Sequence, residues 1–290
     1  MPEQFVTYEL EGRVARIGLN RLAKRNALNT LLQTQLAEAV ARAETEARVG
    51  LLFSHGEHFC AGLDLAEAAA WMNDHERHLQ MRVGSAAIGR PFDYLARGRI
   101  PFVAALSGAC IGGGLEIASS CHIRVADETT FFALPEGQRG IYIGGGGSVR
   151  IARLLGVARM SDLMLTGRVL TAEEGERFNL VQYRVPPGQH ITRATSLAHR
   201  IAENAPLTNW AIVNGLPRIQ DYSYDDGLFV EGLFSHIAAS PESTERLNEF
   251  VAGRARRLVK PGRSGDEHDA DEQAAAPIVP ERAGERHGTE

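Results

Sequence analysis

The sequence GGGLEIA at residues 112–118 places three consecutive glycines directly before a segment of helix-forming residues. A short apolar run at residues 101–106 precedes it and predicts a buried strand. A helix that begins after glycines presents unpaired backbone N–H groups and the positive end of its dipole. The stretch therefore predicts a strand–turn–helix unit in which the N–H of Gly113 faces an oxygen that gains negative charge, with Glu116 in the first helical turn.

A second acidic residue, Glu136, lies in the turn sequence LPEG at residues 134–137. Together, Glu116 and Glu136 predict a pair of carboxyl groups that face one water molecule. Each residue also has a simpler interpretation, Glu116 as a first-turn acid that suits the helix dipole and Glu136 as an ordinary turn residue. A glycine-bearing turn upstream, FCAGLD at residues 59–64, offers a further backbone N–H beside that of Gly113.

The glycine runs do not match nucleotide-binding loops. Neither GGG at residues 112–114 nor GGGGS at residues 144–148 is followed by the Lys-Ser/Thr pair of a phosphate-binding loop. The third glycine of a G-x-G-x-x-G dinucleotide fingerprint is also absent, because its position is held by Ile117, Val149 or Arg150. Both patterns argue against a nucleotide-dependent enzyme.

Strand and helix patterns alternate through the first part of the chain. Residues 5–10 and 14–20 alternate apolar and polar side chains and predict a hairpin, while residues 28–47 have helical spacing with Asn29 or Thr30 as the N-cap. Further strands are predicted at residues 49–53, 101–106, 122–126 and 129–133. Further helices are predicted at residues 148–155, 159–165 and 172–178. This alternation is typical of an α/β fold with a largely parallel sheet.

Three regions are predicted along the chain, an α/β core at 1–186, a helical cap or oligomerisation region at 187–260, and a tail at 261–290. The tail has eight acidic residues against three arginines and too few apolar residues to form a core, so we expect it to be disordered. A long polar excursion between two strands, residues 67–97, predicts a lid or a pocket wall. The helices expected in the second region are residues 191–204, 207–219, 224–238 and 241–258.

Composition indicates an ordinary globular protein without a membrane or nucleic-acid partner. The 290 residues are 44% apolar and 23% charged, with a formal net charge of −5. No apolar run approaches the ~20 residues of a membrane span, and the N-terminus lacks a secretory pattern, so we expect a cytoplasmic protein. No basic stripe with interleaved aromatic residues is visible, which argues against nucleic-acid binding.

Cysteine and histidine spacing does not predict a metal site. The three cysteines, which form no C-x-x-C motif and are expected to be small buried residues, are Cys60, Cys110 and Cys121. The histidines include two H-x-x-H pairs, which are His55 with His58 and His75 with His78. Because no acidic third ligand lies at a diagnostic distance from either pair, both are interpreted as solvated loop histidines.

Four segments, in this order and spacing, resemble the enoyl-CoA hydratase/isomerase (crotonase) family. NRLAKRNALN at residues 20–29 is similar to the family's N-R-P-x-x-x-N-A-L, and FCAGLDL at 59–65 is similar to F-x-A-G-x-D-L. GACIGGGLEIA at 108–118 resembles G-x-x-x-G-G-G-x-E-L-A, and LPEGQRG at 134–140 resembles P-E-x-x-x-G before the next glycine-rich helix start. The resemblance covers residues 5 to about 258 and leaves out the tail.

The resemblance implies a spiral of ββα units with a helical C-terminal region, assembled as a homotrimer or homohexamer. It implies an acyl-CoA substrate whose thioester oxygen is held by the backbone N–H groups of Ala61 and Gly113. It assigns Glu116 and Glu136 as the two acids that activate water, with Glu136 the principal proton donor to the α-carbon. No metal or redox cofactor is expected, because CoA is part of the substrate.

The resemblance further implies two sets of substrate contacts. The residues expected to contact CoA are Lys24, Arg25, Ala27, Leu63 and Asp64. The residues expected to line the acyl pocket are Trp71, Gln138, Arg139 and Gly144. Lys24 and Arg25 also fit ordinary surface charge, and Arg139 also fits a contact with a neighbouring subunit.

The chain departs from the family pattern at several positions. Leu22 replaces the early proline, His122 stands where aspartate is frequent, and Ile143 replaces a proline. Gln138 and Arg139 follow the second glutamate where many hydratases have apolar residues, which argues against a simple straight-chain acyl group.

The expected activity is hydration of a 2-enoyl-CoA to a 3-hydroxyacyl-CoA, a reaction of fatty acid metabolism. Isomerase members commonly keep only one of the two acids, so the presence of both favours hydration. The alternatives are an isomerase, a hydratase-lyase, a thioester hydrolase, or a non-catalytic acyl-CoA-binding protein.

Overall fold

The structure is a computed structural model in which residues 3–74 and 86–254 are described. The strands in these ranges are β1 Val6–Glu11, β2 Val14–Leu19, β3 Val49–Ser54, β4 Phe102–Leu106, β5 Ala109–Ile111, β6 Ile123–Asp127, β7 Phe131–Ala133, β8 Val169–Thr171 and β9 Tyr183–Val185. The predicted disordered tail and the pair His75 and His78 lie outside the described residues.

The helices divide into those within the α/β region and those after it. The first group is α1 Thr30–Glu46, α2 Leu65–Asn73, α3 Ala86–Arg97, α4 Gly113–Ser120, α5 Glu136–Arg139, α6 Gly147–Leu155, α7 Val157–Thr166 and α8 Ala172–Arg177. The second group is α9 His190–Ala202, α10 Pro206–Ile219, α11 Tyr224–Ala238 and α12 Pro241–Val251. A 3₁₀ turn at Leu22–Lys24 precedes α1.

The strands form two sheets. The larger has the order β1-β2-β3-β4-β6-β9 and the smaller has the order β5-β7-β8. β1 and β2 form the predicted antiparallel hairpin, and the pairs from β2 to β9 in the larger sheet are parallel. In the smaller sheet, β5 pairs parallel with β7 and β7 antiparallel with β8. The predicted α/β fold with a largely parallel sheet is confirmed.

Both faces of the larger sheet are covered, as the continuous apolar runs of its strands predict. Along β4, Phe102, Ala104 and Leu106 belong to the core that includes α1, whereas Val103 and Ala105 belong to the core that includes α9. Successive side chains of a strand point to opposite faces, so both faces must be apolar. This double cover holds the carboxyl ends of β3 and β4 side by side.

The predicted helices and strands occur within a few residues of their expected bounds except for the last helix, which was expected to reach residue 258 but ends at Val251. Asn29 caps α1 by accepting the N–H of Leu32 at 3.0 Å. Sequence patterns missed the short strands β5, β8 and β9. Each has only three residues, which is too short for a periodic pattern to develop. Helices alone follow β9 up to residue 254, and no described helix is long and apolar enough to cross a membrane.

Asn26 connects the loop before α1 to the FCAGLD turn. It is 1% exposed and has a positive φ of 56°. Its Oδ1 accepts the N–H of Arg21 at 2.7 Å, and its Nδ2 donates to the carbonyl of His58 at 2.9 Å. Its own carbonyl accepts the Cys60 thiol at 3.0 Å. These bonds fix the position of the loop against the turn that follows β3.

We expect Asn26→Ala to lower the free energy of unfolding by about 2–4 kcal/mol, because it leaves a buried N–H and a buried carbonyl without partners. Asn179→Ala is the matched control, since Asn179 also has a positive φ (64°) but is exposed. Its loss should be about 1 kcal/mol, from the backbone conformation alone. Denaturant unfolding followed by circular dichroism measures both, and equal losses would contradict the structural role given to the Asn26 side chain.

Candidate active site

Glu116 lies in the first turn of α4 and is 5% exposed. Its Oε1 accepts the N–H of Gly145 at 2.8 Å and the N–H of Gly147 at 2.9 Å. Both donors belong to the glycine-rich turn at the start of α6, so this carboxyl group joins two helix N-termini. Burial raises the pKa of Glu116, while the two N–H donors and the nearby charge of Arg150 oppose that rise.

Glu136 begins the short helix α5 and is 6% exposed. Its Oε2 is buried and has no hydrogen-bond partner in the described part of the chain. Burial is the main cause of a raised pKa of Glu136, and the charge of Glu116 raises it further. The two carboxyl groups therefore interact electrostatically, and their surroundings differ. The Glu116 carboxyl group accepts the N–H groups of Gly145 and Gly147, whereas the backbone donor that acts on the Glu136 carboxyl group is its own N–H.

The glycine before α4 is required by the approach of Glu136. Gly112 has a φ of +51°, and a Cβ at this position would lie 2.7 Å from Oε1 of Glu136. A side chain here would therefore both strain the backbone and displace the carboxyl group. Because Gly112 has no side chain, the Glu136 carboxyl group can approach the N-terminus of α4, the helix that carries Glu116.

Two backbone N–H groups lie beside this pair, those of Gly113 and Leu63. Leu63 forms a parallel bridge with Leu28, in which Leu28 donates to Gly62 at 2.7 Å and Asp64 donates to Leu28 at 2.9 Å. The N–H of the residue between two such bonds points away from the bridge. Within the described residues, neither this N–H nor that of Gly113 has a protein acceptor. A Cβ at Gly113 would lie 3.7 Å from the Leu63 nitrogen, so the two groups are neighbours.

The prediction that Ala61 supplies the second free N–H is wrong. Its N–H donates to the carbonyl of Arg25 at 2.9 Å. Gly62 follows with a φ of +93°, which reorients the chain so that the N–H of Leu63 takes the free position. A Cβ at Gly62 would lie 2.8 Å from the carbonyl oxygen of Ile111, so this turn also requires glycine.

These groups line one cavity of about 570 Å³. Glu116, Glu136, Leu63 and Gly113 all contribute to its wall. The rest of the wall is mainly apolar and includes Leu28, Leu65, Trp71, Phe92, Ile141 and Ile143. A mainly apolar cavity with a few convergent polar groups is typical of a small-molecule site.

Three of the four residues predicted for the acyl pocket, Trp71, Arg139 and Gly144, line this cavity. Gln138 does not, and that prediction is wrong. Its Nε2 donates to the carbonyl of Thr166 at 2.8 Å, which turns its side chain towards the end of α7. Consecutive residues of a helix point in different directions, so Gln138 and Arg139 cannot both face the cavity.

Asp64 has a structural role in place of the predicted contact with CoA. Its carboxylate accepts the N–H groups of Ala66 and Glu67 at the start of α2 and pairs with Arg21 at 2.7 Å. Although burial favours its neutral form, these partners lower the pKa of Asp64. The carboxylate is thus fully used as a helix cap.

Of the other residues predicted to contact CoA, Leu63 lines the cavity from the FCAGLD turn, and the remaining three lie in the loop before α1. The carbonyl of Ala27 accepts a hydrogen bond from Arg21 at 2.9 Å, so this acceptor is already used. Lys24 and Arg25 are exposed in or beside the 3₁₀ turn and do not line the cavity. Their contact with a bound phosphate group stays a prediction.

Arg150 is a site residue that sequence reasoning missed. It lies on α6, donates to the carbonyl of Gly145, and lies 3.7 Å from the carboxylate of Asp93 on α3. It therefore holds the peptide segment whose N–H donates to Glu116, and its charge favours the ionised form of that acid. The sequence shows only that Arg150 lies one turn into a helix that follows the glycine run. This position does not show where its side chain points.

The described residues contain no cluster of three His, Cys, Asp or Glu that could hold a metal ion. Cys60, Cys110 and Cys121 are buried and unpaired, as expected, and burial raises the pKa of Cys60 to about 12. His55 contacts the hydroxyl of Thr7 at 2.9 Å, and Nδ1 of His58 accepts the N–H of Ala109 at 3.2 Å. Both histidines thus have structural partners.

Comparison with known proteins gives one consistent result. Residues 9–222 match the family model of enoyl-CoA hydratase/isomerase. An enoyl-CoA hydratase of Mycobacterium tuberculosis is 35% identical over 213 residues, 72% of this chain and 78% of that protein. A 2,3-dehydroadipyl-CoA hydratase of Escherichia coli is 32% identical over 250 residues, 83% of this chain and 93% of that protein.

Solved structures agree with this result. A candidate enoyl-CoA hydratase from Rhodopseudomonas palustris is 44% identical and has a TM-score of 0.79. The match covers 85% of this chain and 94% of that chain. The enoyl-CoA hydratase of Bacillus anthracis has a TM-score of 0.78 at 29% identity, with 86% of this chain and 96% of that chain covered. The predicted crotonase-like α/β fold is therefore confirmed, and the chain belongs to the enoyl-CoA hydratase/isomerase family.

Proposed function

We propose that this protein is an enoyl-CoA hydratase, which adds water across the 2,3 double bond of a 2-enoyl-CoA to give a 3-hydroxyacyl-CoA. The main support is one cavity lined by two buried, electrostatically coupled carboxyl groups and two backbone N–H groups that have no acceptor in the described part of the chain. Relatives named as enoyl-CoA hydratases over most of the chain support the same activity.

The N–H groups of Leu63 and Gly113 hold the thioester oxygen. Addition of water to the double bond makes this oxygen enolate-like, and the two donors stabilise its charge. Removing one such donor in related chemistry costs about 3–4 kcal/mol of barrier height. The N-terminus of α4 adds a favourable dipole, because Gly113 is its first residue.

The two acids have different tasks because their surroundings differ. Glu116, held by two N–H donors and near Arg150, acts as the carboxylate that accepts a proton from water as the water oxygen bonds to C3. Glu136, whose Oε2 has no donor, acts as the carboxylic acid that gives its proton to C2. Transfer of a proton from Glu116 to Glu136 then restores both groups. No electron transfer occurs, so the step requires no redox cofactor.

Isomerase, hydratase-lyase and hydrolase reactions use the same stabilised oxygen, so a substrate panel tests the assignment. Purified protein is given a series of trans-2-enoyl-CoA thioesters, and products are separated by chromatography with mass detection. Formation of 3-hydroxyacyl-CoA supports hydration. Double-bond migration, release of free CoA or cleavage of the acyl chain in its place would overturn it.

We further propose a homotrimer or homohexamer in the cytoplasm. Four apolar side chains along α11 support self-association, since Leu228, Phe229, Leu233 and Ile237 are 42–69% exposed in the single chain. Apolar surfaces of this kind usually mark contacts with another protein.

Glu136→Gln and Glu116→Gln should each lower kcat by about 10²–10⁴-fold, because each removes one proton-transfer group while keeping size and burial. KM should change much less. Glu173→Gln, which alters an exposed glutamate in the first turn of α8, is the matched control and should keep full activity. Steady-state hydration rates are measured for each variant, and their ratios to the rate of the unchanged protein decide the result.

Full activity of Glu136→Gln would contradict its assignment as proton donor. Loss of CoA binding by either variant would instead indicate a role in substrate binding, which calorimetry with a saturated acyl-CoA measures.

Arg150→Met should move the acidic limb of the kcat/KM profile to higher pH. Arg150 favours the ionised form of Glu116, so its removal raises the pKa of that carboxyl further and the required carboxylate forms later as pH rises. Arg153→Met on the same helix is the control, since Arg153 pairs with Asp221 at 2.7 Å. An unchanged acidic limb in Arg150→Met would show that its charge does not act on the reacting acid.

Glu136→Gln should also stabilise the protein at pH 7, raising Tm by about 2–4 °C. The unfolded chain ionises Glu136 freely at this pH, whereas the folded state must keep the buried carboxyl group protonated or bury its charge without a donor to Oε2 among the described residues. The pKa of Glu136 is higher in the folded protein than in the unfolded chain. The Glu136 side chain therefore costs no stability at low pH, and it lowers the free energy of unfolding as pH rises through the folded pKa. The gain should therefore shrink towards pH 4. Thermal unfolding at several pH values checks this, and a gain that is independent of pH would contradict it.

A further inference from the structure

Arg139 is the cationic side chain among the described residues that line the cavity. The two acids of the site, Glu116 and Glu136, line the same cavity, and the remaining described side chains of the wall carry no charge. A cavity that served only apolar acyl chains would gain nothing from a guanidinium group in its wall, because such a group favours water or an anion over hydrocarbon.

Among residues 3–74 and 86–254, no carboxylate forms an ion pair with the Arg139 guanidinium. The arginines around the site, in contrast, are paired, Arg21 with Asp64 at 2.7 Å and Arg150 with Asp93 at 3.7 Å. No described acidic group lies within ion-pair distance of Arg139. Its five N–H donors in a planar fork therefore remain available for a ligand.

Arg139 and the acid Glu136 stand one helical turn apart on α5, which spans only Glu136–Arg139. Residues three apart on a helix have Cβ atoms about 5–6 Å apart and share a face. The charge of Arg139 acts on the carboxyl group of Glu136, which agrees with this closeness. A group bound by Arg139 would thus lie only a few carbons from the double bond that Glu136 protonates.

A substrate carboxylate in this cavity would meet two acids that already repel each other, so it requires a compensating cation. Arg139 meets this requirement, and a bidentate pair with a carboxylate is the geometry for which a guanidinium is best suited. Tyr142 also lines the cavity and offers a phenol hydroxyl as a further donor.

We propose that Arg139 binds a carboxylate at the distal end of the acyl group, so that the preferred substrates are short 2-enoyl-CoA thioesters of dicarboxylic acids. The inference rests on the proposed hydratase activity and specifies its substrate class. It follows that the reaction which supplies the substrate must produce a 2,3-unsaturated thioester that still carries a free carboxylate.

Three matched thioesters test the proposal on the full chain. They are trans-2-hexenoyl-CoA, its analogue with the terminal methyl group replaced by a carboxylate, and the corresponding carboxamide, which has similar size without charge. The protein is expected to favour the carboxylate over both neutral substrates by about 10-fold or more in kcat/KM, as charge-assisted hydrogen bonds allow.

Arg139→Met should lower kcat/KM for the carboxylate substrate by about 10–100-fold, mainly through KM, and change hexenoyl-CoA by less than about threefold. Arg139→Lys should restore part of the preference, because it keeps the charge but not the bidentate geometry. Arg168→Met is the control, since the exposed Arg168 pairs with Asp162 at 3.5 Å and Glu174 at 2.5 Å. It should leave the preference unchanged.

Equal rates with the charged and neutral substrates, or an equal loss for all three in Arg139→Met, would overturn the proposal. An equal loss together with a smaller assembly by light scattering would assign Arg139 to a contact between subunits. Calorimetric binding of the saturated carboxylate and methyl thioesters repeats the comparison without turnover. If no thioester is hydrated, the hydratase assignment fails, and the ratio of these two binding constants still decides the role of Arg139.

Discussion

The hydrogen bonds from Gly145 and Gly147 to the Glu116 carboxyl group are the interaction on which the site depends. A buried carboxylate is costly unless donors replace the water that it loses. Backbone N–H groups at a helix start are suitable donors, since they have no partner within the helix. One acid therefore joins the starts of α4 and α6, and the same contact that makes its burial tolerable also fixes its position for chemistry.

The carboxyl group of Glu136 has different surroundings from that of Glu116. Glu136 approaches the other side of the same helix start, over Gly112, but its Oε2 meets no donor. Two carboxyl groups that share a cavity cannot easily both be ionised, so the one with fewer donors keeps the proton. The difference in donors, rather than any difference between two glutamate side chains, is thus the basis for proposing one as base and the other as acid.

Sequence reasoning identified the acids, the Gly113 donor and the α/β fold, because each depends on local patterns such as glycine runs before helices and apolar runs in strands. It placed the second donor at Ala61 in place of Leu63, since a positive φ at Gly62 changes which N–H points inward. It also placed Gln138 in the pocket and missed Arg150. In each case the direction of a group is set by contacts with segments distant in sequence, which a local pattern does not contain.

The cavity contains a buried acid that is unfavourable for stability, and this has a consequence for specificity. The buried Glu136 carboxyl group, whose Oε2 has no donor among the described residues, raises the free energy of the empty site, and a ligand that completes it recovers that energy on binding. The guanidinium of Arg139 is exposed to water in the single chain and adds no such cost. In the proposed reaction, the group that completes Glu136 is the reacting carbon, which takes its proton. In the proposed substrate class, the group that binds Arg139 is the distal carboxylate. Because α5 carries both residues within one turn, the two proposals are linked: a substrate whose carboxylate binds Arg139 would also be positioned for protonation by Glu136.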